Sequence, residues 1–139
     1  MGNIPDEKID RAAIEMKLEI PQDKVDNEAA ALRSELLYGL QYQRLTSGNP
    51  YVDQDDLRRR LEDIPREALR QVKTQMVLER IAQDQGLTVT RQELEQETCA
   101  ISQRQNIPME RILDFLGEDL EPIRRDLLLR KAEEWILKN

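Results

Sequence analysis

The sequence predicts an all-α fold. Three observations carry that prediction. Apolar residues recur at the three- and four-residue spacing of a helix face along most of the chain. Glycine and proline are few and punctuate those stretches, and no run of useful length alternates apolar with polar residues as a strand would.

The elements follow in order. A first helix is expected over about residues 6–18, with Ile9, Ala13 and Met16 on one side. Ile20-Pro21 ends it, because a residue before proline is pushed out of the helical region. A long helix follows over about 22–45, where Val25, Ala29, Leu32, Leu36 and Leu40 form one stripe. Ala31, Tyr38, Tyr42 and Leu45 form a second stripe on roughly the opposite face. A surface helix needs one stripe only, so the second must meet another helix, a second copy or a ligand.

Thr46-Ser47-Gly48-Asn49-Pro50 reads as a turn. A short charged helix is expected over about 53–62, and Pro65 at a first helical turn then opens another running to about Gln85. Gly86 stands where a left-handed cap would end it. Thr90 with Glu93 has the capping-box pattern, which predicts a helix to about Gln105. Pro108 and Gly117 bracket a short helix containing Ile112, Leu113, Phe115 and Leu116. The last helix is expected over about 119–137, with Leu120, Ile123, Leu127, Leu128 and Trp135 inward and Leu129 and Ile136 turned away.

Length and composition narrow the function. At 139 residues the chain reads as a single domain over 1–139. Charged residues make up 35 % and apolar residues only 39 %, which suits an extended helical body with little interior. The net charge is −7, and the basic runs Arg58-Arg59-Arg60 and Arg124-Arg125 each have acids beside them, so a nucleic-acid surface is not expected. A lone cysteine excludes an internal disulfide. Residues 1–20 carry acids throughout and no apolar run reaches the length of a membrane span, so no leader or membrane partner is expected and the chain reads as cytoplasmic.

Catalytic chemistry is not expected either. There is no histidine, hence neither the commonest general base nor the commonest metal ligand. Asp53, Asp55 and Asp56 lack calcium-loop spacing: with Asp53 as position one, position six is Arg58 and position twelve Ile64. No glycine-rich phosphate loop exists, and Glu93, Glu97, Glu118 and Asp119 read as acids favoured near helix starts. Cys99, mid-helix and without a histidine partner, reads as a packed thiol rather than a nucleophile. No catalytic residue, cofactor or metal site is assigned.

Several stretches resemble one family. Leu18-Glu19-Ile20-Pro21 through Val25 and Glu28, with Leu40-Gln41-Tyr42-Gln43 after it, is similar to the start of the first arm helix in the C-terminal domain of trigger factor. Ala68 through Val72-Lys73, Val77-Leu78-Glu79-Arg80-Ile81-Ala82, and Gly86-Leu87-Thr88-Val89-Thr90 through Glu93-Leu94 are similar to that family's "A-x-x-x-V-K…L-L-x-x-I-A…G-I-x-V-[ST]-x-x-E-[IL]" run. Lys131-Ala132 through Leu137 resembles its ending. The likeness covers about residues 17–138, leaving 1–17 as a poorly matched leading segment. A weaker likeness, over Gln105 to Gly117 and Ile123 to Arg125, extends to the N-terminal chaperone domain of SurA.

The resemblance implies an extended multi-helix domain with long antiparallel arm helices, holding unfolded or nascent polypeptides in a helical cradle without ATP. The family's ribosome-docking and prolyl-isomerase domains have no matching positions, so the resemblance implies a fragment that reaches the ribosome only through a domain absent from this chain. Tyr38, Tyr42 and Leu45 at i, i+4 and i+7 form a candidate client-binding patch. Met76 and Met109 offer the adaptable contacts that promiscuous surfaces use. Tyr38 and Tyr42 packing beneath a neighbouring helix is the plainer account of the same spacing. The competing function is a self-assembly or partner-docking module, in which the second stripe pairs with a copy of itself as a homodimer or with one dedicated partner.

Overall fold

The computed structural model describes residues 4–47 and 53–139. Six helices account for most of them: α1 Asp6–Glu15, α2 Gln22–Ser47, α3 Gln54–Asp84, α4 Arg91–Gln105, α5 Met109–Leu116 and α6 Glu121–Lys138. Among the described residues there is no strand. Gly48, Asn49 and Pro50 of the expected turn lie outside the described residues.

The chain divides into two compact units, one of residues 9–77 and one of residues 1–8 with 78–139. In the first unit Val25 and Ala29 of α2 are buried against Ile64 and Ala68 of α3, with Ile20, Leu32, Leu36, Leu61 and Val72 around them. These α2 residues belong to the stripe that helical spacing picks out. Lys73 of α3 reaches Asp10 of α1 at 3.0 Å. In the second unit Leu94, Ile112, Leu120 and Ile123 form the core, and α4 packs against both α5 and α6.

The helix ends are fixed by local chemistry. Asp53 Oδ1 accepts from the backbone N–H groups of Asp55 and Asp56, which makes it an N-cap for α3. Thr90 and Glu93 form the reciprocal capping box of α4. Gly86, at φ 61°, ends α3 with Leu87 N–H donating to Ala82 and Gly86 N–H to Gln83, the paired bonds of a Schellman motif. The same pair closes α1, where Leu18 donates to Ala13 and Lys17 to Ile14, although the left-handed residue there is Lys17.

Three sequence expectations are corrected. Residues 53–85 do not form two helices: α3 is continuous, with Pro65 inside it. Proline removes one backbone donor and crowds the carbonyl four residues back, an effect of about 3 kcal/mol in a helix interior. Ile64 and Ala68 on either side are buried against α2, and this packing holds the helix together across the defect. Ile136 is not turned away from the core but is buried at 5 % exposure, because α6 is covered on more than one side. Cys99 is exposed, not packed; the buried position on that turn is taken by Thr98, whose hydroxyl donates to the Leu94 carbonyl.

Candidate functional site

The second half of α2 turns its apolar stripe away from its own core. Leu32 and Leu36 pack against the Val25–Ala68 cluster. Tyr38, Tyr42 and Leu45, about half a turn round the helix, are exposed by 73, 70 and 79 %. Leu37 is exposed as well. Near the end of the helix Thr46 and Ser47 donate their hydroxyls to the carbonyls of Tyr42 and Gln43, at 2.9 and 2.6 Å.

Between Leu36 and Ser47 the one charged residue is Arg44, in a chain more than a third charged. Tyr38, Gln41, Tyr42 and Gln43 surround the apolar groups with side chains that both donate and accept hydrogen bonds. Gly39 sits in the same stretch, and nothing lies near the position its Cβ would occupy. A glycine there weakens the helix by about 1 kcal/mol relative to alanine, and packing within the described residues supplies no reason for it. With Arg44 as its one charge, the surface is apolar and amphiphilic at the edges. It can take apolar side chains and pair with backbone amides, and it is not built for proton transfer.

Of the five side chains singled out from the sequence, Tyr38, Tyr42 and Leu45 share this helix face. Met76 is half-buried on α3 in the same unit, and Met109 lies at the start of α5 in the other unit. Helical spacing does not single out Leu37 or Phe115. Phe115 is exposed by 88 % even though Ile112 on the same short helix is buried. Its neighbours Asp114 and Glu118 were the available signal, since a core aromatic is seldom set among acids.

The second unit carries a polar network instead. Lys131 of α6 donates to the Thr88 carbonyl at 2.7 Å and pairs with Glu93 Oε2 at 2.7 Å. Arg124 donates to the Val89 carbonyl, and Arg130 pairs with Glu97. Lys131, with the backbone and hydroxyl of Thr90, holds the Glu93 carboxyl below its ordinary value. In the first unit hydrogen bonds from Arg70 and Gln71 do the same to Glu67. Both are structural ion pairs on helix surfaces. Among the described residues, no group of three or more potential ligands is placed to hold a metal ion, and no helix is long and apolar enough to cross a membrane.

The family model described as "Bacterial trigger factor protein (TF) C-terminus" matches residues 3–138. The chain belongs to the trigger factor C-terminal family. It is 29 % identical to the trigger factor of Bacillus pumilus over 99 % of its own length, 28 % to that of Streptococcus uberis over 94 %, and 28 % to that of Carboxydothermus hydrogenoformans over 96 %. It spans about a third of the length of these curated relatives. The matched region of trigger factor is the C-terminus and not the isomerase domain. No solved structure matches the chain.

In this trigger factor C-terminal chain two of the stretches that resemble the family meet in space. Thr88 through Glu93 and the Lys131-Ala132 ending are joined by the Lys131 contacts, and Ala132 beside Lys131 is fully buried.

Proposed function

We propose that this chain is an ATP-independent, client-holding chaperone domain of the cytoplasm, which binds unfolded or nascent polypeptide through exposed apolar side chains on helices. The observation that carries the proposal is the exposed tract of Leu37, Tyr38, Tyr42 and Leu45 on α2. A holdase needs apolar groups open to water among enough polar surface to stay dispersed, and a contiguous tract with one nearby charge meets that need without selecting a single partner. Family membership supports the same reading. Met76 and Met109 are proposed as accessory client contacts, through the flexibility of the thioether side chain.

The test is suppression of aggregation for two unrelated denatured proteins diluted into buffer without nucleotide. Near-stoichiometric amounts of the chain are expected to slow both, and Tyr38→Ser/Tyr42→Ser is expected to weaken the effect with helicity intact. If neither client is protected and the chain pairs tightly with itself, a pairing lost in the same double variant, the α2 face is an assembly interface and the proposal is wrong.

A further inference from the structure

Leu120 holds a backbone conformation that nothing at its own position in the chain explains. Among the described residues three other than glycine have positive φ, and two of them, Lys17 and Asn106, close the carboxyl ends of α1 and α4. A left-handed residue there lets following N–H groups reach the free carbonyls. Leu120, at φ 52° and ψ 39°, stands instead at the amino end of α6. A residue at that place is ordinarily extended and caps the helix with a side-chain oxygen, which leucine lacks. The left-handed region disfavours such a residue by roughly five- to thirtyfold.

The side chain of Leu120 is what holds it there. It is buried in the core it shares with Leu94 of α4, Ile112 of α5 and Ile123 of α6. The turn that delivers it is unusual at its other end too. Gly117 lies at φ 91° and ψ 156°, a region essentially closed to other residues, and a Cβ there would come within 3.3 Å of Asp119 Oδ1. The Leu120 N–H donates to the Gly117 carbonyl at 3.1 Å and closes the turn. Just before it, α5 has eight residues, too few to persist as a helix alone, and Pro108 at its start gives no side-chain cap. Ile112 is the one buried residue of that helix. By contrast α4 and α6 are tied to each other without α5, by Lys131 to Glu93 and by Arg130 to Glu97.

We propose that Leu120 is a sprung latch for α5. When its backbone relaxes to the extended region, its side chain leaves the Leu94–Ile123 core and the turn from Gly117 to Leu120 opens. The short helix α5 then comes away, while the Lys131 and Arg130 ion pairs keep α6 on α4. Burial and backbone strain oppose each other at this one residue, so the open state lies well below global unfolding in free energy. The latch is independent of the client-holding reading, and suppression of aggregation does not bear on it.

The test is amide hydrogen exchange on the full chain, residue by residue, over a series of urea concentrations below the unfolding transition. The amides of Leu113, Leu116 and Gly117 are expected to exchange as one group with those of Ile123 and Arg124, which donate to the Leu120 carbonyl. That group should exchange at least about tenfold faster than the centres of α4 and α6, with little dependence on urea. Gly117→Ala is expected to speed the group by roughly tenfold and to leave the centres of α4 and α6 as they were. Leu120→Ala keeps the strained backbone and loses the anchor, whereas Leu120→Gly loses the same anchor and the strain with it. Exchange in α5 should therefore be at least about threefold slower in Leu120→Gly than in Leu120→Ala. The latch is overturned if the α5 amides exchange only through global unfolding, or if Ile123 and Arg124 stay protected while α5 opens. It is equally overturned if Gly117→Ala leaves α5 unchanged or loosens α4 and α6 as much, or if the two Leu120 variants open α5 alike.

Discussion

Lys131 and Glu93 stand 38 residues apart in sequence, yet their charged groups meet at 2.7–2.8 Å, with the Thr88 carbonyl completing the ammonium's partners. The contact fastens α6 to the loop that starts α4. It also ties the capping box to tertiary structure, because Glu93 Oε1 accepts from both Lys131 and the Thr90 backbone. Lys131→Met keeps the aliphatic stem and removes the ammonium, and it is expected to cost about 1 kcal/mol in urea unfolding. Glu93→Gln is expected to cost less, because its amide still accepts from Thr90. A double variant should lose less than the two single losses combined, since both delete the same ion pair.

Acid should act through the same carboxyls. Glu93 and Glu67 are held below their ordinary value of 4.5, so folding favours their charged forms. Their stabilising contribution is complete above pH 4.5 and is lost as pH falls through the lowered folded values. Urea midpoints measured from neutral pH downward are expected to stay level to about pH 5 and then fall. Glu93→Gln and Glu67→Gln should each flatten part of that fall. With no histidine in the chain, no step is expected near pH 6 to 7.

Thr90→Ala removes one half of the capping box. It should lower stability by about 1 kcal/mol and speed amide exchange in the first turn of α4, while Thr90→Ser restores most of both.

Pro65→Ala distinguishes one helix from two. In the continuous α3 the replacement supplies a missing N–H to the Leu61 carbonyl, and a gain of about 1–3 kcal/mol is expected. Had Pro65 opened a separate helix, its loss would be neutral or unfavourable.

Tyr38→Ser/Tyr42→Ser should leave the unfolding midpoint almost unchanged, within about 0.5 kcal/mol, because both rings are exposed by at least 70 %. A large loss of stability would mean that the rings are covered in solution.

The helices and most of their ends were legible because they rest on local rules: spacing for the Val25–Leu36 stripe, hydroxyl and carboxylate for Thr90 and Glu93, a left-handed turn for Gly86. What escaped depends on partners remote in sequence. Proline at 65 is a local stop signal, overruled by Ile64 and Ala68 packing on α2. Ile136 looked outward because periodicity counts one inward face, whereas the chain that covers α6 includes a residue 128 positions away, Lys8. Tyr38, Tyr42 and Leu45 were legible as a stripe and not as an open surface, since spacing is blind to whether anything covers it. Phe115 was grouped with the leucines of α5 because an eight-residue helix of about two turns is too short to show which side is buried.

The Lys8 ammonium donates to the carbonyls of Ile136 and Leu137, at 3.2 Å each, closing the last turn of α6 with a residue from the first helix. On a chain made from its amino end, these two acceptors are made 128 and 129 residues after Lys8. Residues 9–77 have all of their own contacts available well before that point, so their unit can mature while α6 is still unmade. The second unit waits for α6, and Lys8 remains without those carbonyls until that helix is made. The order of assembly is thereby written into which end of the chain holds the other.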